Sequence, residues 1–423
     1  MEAIETAARR QALAVAARAV AQRLNADHRD HVGPTAPCAW CQQPAHYAGR
    51  HAKTVESVLG PLLLERAYYH CAACAAGFCP RDRALGLDGT SLSPAVTRMV
   101  GIVGAMVSFV EGHDLLHDLA GVDVDAKHVE RTAEALGRAI AADEQQVVDP
   151  TPPAAPTMYL GVDGTGLPMR TAALTGRAGK QPDGSAKTRE VKLVTVWTAE
   201  GRDPDGIPVR DRGSVTYSAA IESAASVDTP AGLSPFAHRV DREARRRSFD
   251  LAPRRVVLGD GAAWIWNVAD ELFPGAIQIV DLFHAKQHLS DVATAIYGAG
   301  TVLSRQWARL RHDELDAGHL RALCQALRMH APTHSEARRC GEYVTHHRAR
   351  MRYPAFRAQG LCVSSGVVEA GCKVAIGTRL KRTGMHWTVA GADAIIALRC
   401  CRLSGRFEDF WERRSTRVVA EAA

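Results

Sequence analysis

Three short apolar segments of this 423-residue chain each end in a carboxylate: Asp163 closes Met158-Tyr-Leu-Gly-Val-Asp, Asp260 closes Val256-Val-Leu-Gly-Asp, and Asp281 closes Ile277-Gln-Ile-Val-Asp. A fourth acid, Glu369, lies far downstream in Ser364-Ser-Gly-Val-Val-Glu-Ala-Gly. An acid placed where a buried strand surfaces is held rigidly beside solvent, which suits it to binding a hard divalent cation through oxygen. Asp-Gly at a strand end is also a common turn, so each aspartate taken singly has a structural reading as well. Taken with Glu369 and its basic surroundings, the set points to metal-assisted phosphoryl chemistry on a nucleic acid.

Charge supports that direction. The chain carries a formal +6. The stretch from Tyr343 to Phe407 alone holds eleven Lys/Arg against only Glu369 and Asp393, a local surplus of nine. A solvated basic face accounts for part of such a run, but a polyanion is its natural partner. With 46% hydrophobic and 23% charged residues the chain has the composition of a folded protein of two or three domains. No run of about 18 apolar residues occurs, and the N-terminus is charged where a signal peptide needs an apolar core. The expected location is the cytoplasm, associated with the nucleoid.

Four of the eleven cysteines form a pattern, Cys38-Ala-Trp-Cys41 and Cys71-Ala-Ala-Cys74. Each Cys-x-x-Cys brings two thiolates to one metal from a tight turn, and two such turns complete a tetrahedral Zn²⁺ site. The intervening Glu56–His70 reads as two strands around Gly60-Pro61, the layout of a zinc ribbon with a structural metal. Cys79, His46 and His70 are alternative ligands nearby, and free structural cysteines are the alternative to a site.

These chemical groups need elements to hold them. Residues 1–36 are expected to be an N-terminal helix, 37–82 the ribbon, and 83–148 a helical domain. In that domain Ser108–Ala120 and Asp125–Ala142, separated by Gly121-Val-Asp-Val, have the outline of a helix-turn-helix. Its second member would present Lys127, His128, Arg131 and Thr132 to DNA, although any packed helical hairpin has the same outline. Residues 149–156 contain four prolines and read as a linker. Beyond it, three hairpin-like strands precede an alternation of helix and strand through 157–300. This predicts a mixed sheet with helices on its faces, as in the RNase H-like architecture. Residues 301–360 show no convincing strand and read as an all-helical insertion, 361–410 as the second part of the core carrying Glu369 on a helix kinked by Gly371 and Gly377, and 411–423 as a tail.

Asp163, Asp260 and Glu369 stand in the order and context of a DDE triad, and in this the chain resembles the transposases of bacterial insertion sequences, in particular the Kra-four group and the wider Mutator-like superfamily. Asp281-Leu-Phe-His284 is similar to the Asp-x-x-His signature of Mutator-like transposases. Ser365-Gly-Val-Val-Glu369 and the basic Arg379-Leu-Lys-Arg-Thr-Gly-Met-His-Trp387 are similar to the surroundings of the family's glutamate. The resemblance runs from the zinc ribbon to about Phe407. It implies an RNase H-like core with a helical insertion, recognition of terminal inverted repeats and DNA strand transfer, with a homodimer or higher oligomer holding two ends of double-stranded DNA.

The residues permit the same chemistry without the analogy. Two Mg²⁺ (or Mn²⁺) ions about 4 Å apart need several converging carboxylates. Asp163 would bridge both, Asp260 would bind one and Glu369 the other. His284 is expected either to contact the scissile phosphate or orient a ligand, or else to form a structural pair with Asp281. Arg379, Lys381, Arg382 and Trp387 are expected DNA contacts, with burial of the Trp387 ring as the alternative. A nuclease of RNase H-like fold without strand transfer, and a non-catalytic DNA-binding protein descended from a transposase, are the competing functions.

Overall fold

The computed structural model describes residues 1–422 apart from 147–153, 180, 182–183, 205, 225–231 and 365, and describes only the backbone of 416–422. Most of the proline-rich linker, and Ser365 of the motif around Glu369, lie outside the described residues. The chain forms two compact units, Met1–Asp143 with Gly405–Ala423, and Glu144–Ser404. The C-terminal helix Phe407–Ala422, expected as a core end and a tail, therefore belongs to the first unit. Among the described residues no helix is long and apolar enough to cross a membrane.

In the first unit a long helix α1 (Glu2–Ala26) precedes a four-stranded antiparallel sheet, β1 (Thr35–Pro37), β2 (Pro44–Ser57), β3 (Gly60–His70) and β4 (Gly77–Phe78), in sequential order. The Asn25 side chain ties the end of α1 to β3, donating to the Leu63 carbonyl and accepting from the Glu65 amide. The β2–β3 hairpin carries two small cores. Ala36, Ala45, Ala67 and Tyr69 pack beside the cysteines, and Val55, Leu62, Leu64 and Leu87 pack with Ala17 at the other end. A short helix α2 (Pro80–Ala84) then leads to α3 (Pro94–Met106), α4 (Phe109–Leu115) with a π turn through Ala120, and α5 (Ala126–Asp143). Ser93 caps α3 with Pro94 just inside it, and Ser108 with Glu111 forms a capping box on α4. Gly121, at φ 69°, ends the π turn in the left-handed region that glycine adopts without strain.

The second unit is built on a five-stranded mixed sheet. Its strands are β5 (Thr157–Pro168), β6 (Thr188–Thr198), β9 (Thr216–Ala220), β10 (Arg254–Gly259) and β11 (Ile277–Val280), with the small hairpin β7 (Gly201–Arg202) and β8 (Pro208–Val209) outside it. The order is β11-β10-β5-β6-β9; β5, β6 and β9 run antiparallel, while β10 and β11 run parallel to β5. Val191–Thr198 of β6 is buried on both faces, which fits a segment in which five of eight residues are β-branched. Helices α6 (Pro235–Arg246), α7 (Ala263–Leu272) and α8 (Leu282–Tyr297) connect or flank the later strands. The stretch expected to be helical holds α9 (Val302–Asp316), α10 (Leu320–His330), α11 (Ser335–His347) and α12 (Tyr353–Ala358). The segment carrying Glu369 is α13 (Gly366–Gly371), a π turn Cys372–Gly377 and α14 (Thr378–Leu380), so the expected kink between the two glycines takes the form of a π turn. The apolar helix α15 (Val389–Leu403) closes the unit.

Candidate active site and metal centre

Register places the three acids in one row, although Asp163, expected at a strand end, lies inside β5, which runs five residues further as a hairpin with β6. Leu258 of β10 pairs with Gly161 of β5, and Gly259 pairs with Val280 of β11. Continuing that parallel register sets Asp260 beside Asp163 on one side and Asp281 on the other, at strand spacings of about 4.8 Å. Asp163 and Asp260 are half-buried, whereas Asp281 is buried. Burial pushes the Asp163 carboxyl above the ordinary carboxylate range; a thiol bond from Cys372 and the Gly164 amide (2.6 Å) pull it back, and the charge of Asp260 raises it further.

Helix α13 lies over the same face of the sheet. Gly161 is where it approaches closest: a Cβ there would fall inside Val368 Cγ2 and lie 3.0 Å from the Trp197 ring. A Cβ on Gly371 would meet Leu193 at 3.0 Å and Thr195 at 3.1 Å, a tight but less severe contact. The Cys372 thiol bonds to Asp163, one helical turn beyond Glu369. Glu369 itself is exposed and makes no hydrogen bond or ion pair with the described residues. Asp163 and Asp260 are thus neighbours in this structure, with Glu369 on the helix facing them but not converged on them. Gly161→Ala is expected to lower stability by about 1–3 kcal/mol through overpacking, read from the denaturant midpoint. Combining it with Val368→Ala should restore most of that loss, and an unchanged midpoint for Gly161→Ala alone would remove the close approach as a constraint.

Asp281 has a structural task. Its carboxylate accepts from the backbone N–H of His284 at 2.6 Å and caps α8, so the bond joining the two residues is not made by the imidazole. The cap fixes the first turn of α8, and His284 there carries positive charge toward Asp163 when protonated. His284 packs edge-on against His288 (4.6 Å), His288 against Tyr343 (4.7 Å), and Tyr343 against His347 (4.9 Å). Tyr343 also donates its hydroxyl to the Asp260 carbonyl at 2.7 Å. Its ring lies 2.5 Å from where a Cβ on Gly261 would be, and Gly261 sits at φ 106°. The Asp260 turn is therefore held from α11. Of these residues, His288 was legible as a fourth-neighbour of His284 on one helix; Tyr343, distant in sequence, carried no signal.

His347 is buried, and desolvation, helped by the charges of His346 and Arg350, lowers its pKa from 6.5 to about 4. The folded state thus resists a proton that the unfolded chain accepts, so stability should fall as pH drops from 6.5 to about 4 and level off below. Replacing His347 by Gln should flatten that segment of a stability-versus-pH curve; an unaltered slope would contradict the assignment.

The four cysteines form a second centre. Among the described residues they are the one set of His, Cys, Asp and Glu side chains that converges tightly enough to hold a metal ion such as zinc. Sulfur separations are 3.6 Å for Cys38–Cys74 and 3.5 Å for both Cys41–Cys71 and Cys41–Cys74. A tetrahedron with Zn–S bonds of 2.3 Å has edges of about 3.8 Å, so the donor set fits. Each knuckle ends on a residue with left-handed backbone, Gln42 (φ 61°) and Ala75 (φ 56°), directly after its second cysteine. Amide bonds from Cys41 and Trp40 lower the Cys38 thiol to about 6, whereas the neighbouring sulfurs hold Cys74 up at about 12 and Cys41 is also raised, so without a cation the crowded sulfurs oppose one another's ionisation. Cys79, His46 and His70 are not members of the cluster.

No protein-family profile matches the chain. No curated protein matches it either. Among solved structures it is similar to the Drosophila P element transposase strand transfer complex, at 10% identity and a TM-score of 0.27, over 79% of this chain and 84% of that one. A likeness of that looseness carries no inference, and the residues must carry the reading.

The expected DNA contacts divide sharply. Lys127 and Arg131 are exposed on α5, Lys127 paired with Glu130 at 2.7 Å. Lys381 and Arg382 are exposed, and Lys381 donates to Thr165 Oγ1 two residues beyond Asp163, which sets a cation beside the acids. Arg379 and Trp387 are corrections: both are buried, the guanidinium 5.5 Å over the indole, and Trp387 donates to the Leu380 carbonyl at 2.9 Å. A side chain consumed in that way cannot meet DNA. Arg399 is also internal, donating to Val374 and Thr378, so part of the basic density stabilises the fold.

Proposed function

We propose that this protein is a DDE transposase that binds the ends of a mobile element and catalyses metal-dependent DNA cleavage and strand transfer. The observation that carries the reading is the row of Asp163 and Asp260 on adjacent parallel strands, with the helix of Glu369 laid over the same sheet face. The strand order, three antiparallel strands extended by two parallel ones, supports an RNase H-like core. The acids offer hard oxygen donors beside solvent, a set that suits Mg²⁺ or Mn²⁺. When bound there, such ions activate the attacking oxygen and stabilise the leaving one. Asp163, Asp260 and Glu369 would hold them, Glu369 by moving inward with α13. Lys381, beside Asp163, would bind the non-bridging oxygens of the scissile phosphate, and Tyr343 and Asp281 would keep the acid row rigid. Water attack cleaves one P–O bond and leaves a 3′-hydroxyl; that hydroxyl then attacks a target phosphodiester, forming one P–O bond and breaking another. The exposed cations of α5 and the zinc ribbon would serve DNA recognition, and two ends held together call for at least a dimer.

The test is a Mg²⁺-dependent joining assay with ends taken from the DNA flanking the gene. Joined product supports transposition, cleavage without joining supports a nuclease, and binding alone supports a non-catalytic descendant.

A further inference from the structure

A cavity of about 630 Å³ opens in the first unit between the loop after α2, the first turns of α5 and the C-terminal helix. Its apolar wall includes Leu85, Pro94 and Leu136, and its polar groups include His128, Arg131 and Arg414. The size falls in the range of small-molecule sites. Two features give it a chemistry. Phe407, Trp411 and Arg414 follow one another at helical spacing and form a ladder, the two rings stacked at 6.1 Å and the guanidinium 5.8 Å over the indole. Arg414 is half-buried, and neither it nor Arg131 makes a hydrogen bond or ion pair with any described residue. The neighbouring acids of α5 are already engaged, Glu130 with Lys127 and Glu134 with Arg138. The one acid of the lining, Asp88, lies 3.7 Å from Arg83. Two guanidinium groups without a hydrogen-bonded or ion-paired anion among the described residues, one of them backed by stacked rings and set in an apolar-walled cavity, are a site for a planar base carrying an anionic group.

We propose that this cavity binds a single nucleotide, its base extending the Phe407–Trp411–Arg414 ladder and its phosphate meeting Arg131. Bases stack on guanidinium planes as they do on aromatic rings. The nucleotide comes either from DNA, as one unpaired base turned out of the duplex, or free from solution. The DNA source rests on the reading of this unit as a DNA-binding module; neither source requires strand transfer, so failure here and failure of the proposed catalysis are separable.

The experiment uses the full-length, zinc-loaded protein. Binding is measured to a fluorescent duplex with one bulged 2-aminopurine, to the same duplex fully paired, and to dAMP. The expected result is about tenfold tighter binding of the bulged duplex, with quenching of the 2-aminopurine. Arg414→Gln should abolish that preference without weakening binding to the paired duplex, whereas Arg131→Ala, which also removes a cation from the DNA-recognition face of α5, should weaken both duplexes and abolish the preference between them. A melting curve matching the parent shows that each variant folds, and Arg131→Ala, being exposed, keeps the test open if Arg414→Gln does not. If dAMP binds in an Arg131-dependent way while the bulge gives no preference, the nucleotide is a free one. Equal binding of bulged and paired duplexes with no dAMP binding, or a preference that survives both substitutions, overturns the proposal.

Discussion

Replacing Asp163 or Asp260 by alanine is expected to reduce Mg²⁺-dependent DNA joining by roughly a thousandfold or more, which corresponds to losing several kcal/mol of transition-state stabilisation. The expectation follows from position. Asp163 sits inside β5, paired on its other side with Leu193 of β6, and Asp260 directly follows β10, so each carboxylate is held on a rigid element. The fold should tolerate the loss. Asp163 is half-buried with its pKa raised by burial, so its charged form is costly in the metal-free protein, and removing it relieves that cost. The raised pKa also sets the sign of a pH effect. Binding Mg²⁺ must displace a proton that Asp163 holds more tightly than an ordinary carboxylate, so Mg²⁺ affinity should rise with pH across the range just above the usual carboxylate pKa. Asp163→Asn, which keeps shape and loses charge, should be as inactive as the alanine variant and lack that pH dependence. Joining within about tenfold of the parent for any of these variants would reject the catalytic role of that residue. Glu369→Ala is the more searching case, because Glu369 faces solvent; full activity of that variant would mean that the two aspartates work with some other third ligand.

Much of the acid row was legible because its signals are local. Apolar runs followed by Asp mark the ends of β10 and β11, though at Asp163 the strand runs on, and the three hairpin-like strands before a helix–strand alternation are the strands the sheet contains, with the later two added beside β5. What was not legible depends on direction and distance. Arg379 and Trp387 belong to a basic motif, but charge in a sequence does not say which way a side chain points, and here the two stack on each other inside the unit. The spacing Asp-x-x-His also has a plainer meaning than histidine chemistry. It is the spacing from an N-cap to the third residue of a helix, and the bond observed is that capping bond. Tyr343 lies 83 residues from Asp260, on a helix of the insertion, and its hold on the acid's backbone emerges only from tertiary packing.

Removing zinc is expected to unfold one end of the ribbon and leave the other standing. The buried core at the metal end is small: Cys38 and Cys71 are fully buried beside Ala36, Ala45, Ala67 and Tyr69, with Phe78 packed against them. A core of that size cannot offset the ordering of the two knuckles, each with one non-glycine residue in left-handed backbone. The metal must supply the difference, and structural zinc sites in small peptides contribute on the order of 10 kcal/mol. The far end of the hairpin has its own packing, Val55, Leu62 and Leu64 against Ala17 and Leu87, and an ion-paired margin in which Asp82 accepts from Lys53 and Arg66. Chelation should therefore raise amide exchange in residues 35–47 and 67–78 sharply while 53–64 stays protected. Cys71→Ser should reproduce the pattern and lower the bound zinc below one per chain, whereas Cys79→Ser, His46→Ala and His70→Ala should keep it. A purified protein without zinc that shows uniform protection along the hairpin would show that the four thiols pack as a small apolar core and need no metal, and DNA recognition would then have to be sought in α5 alone.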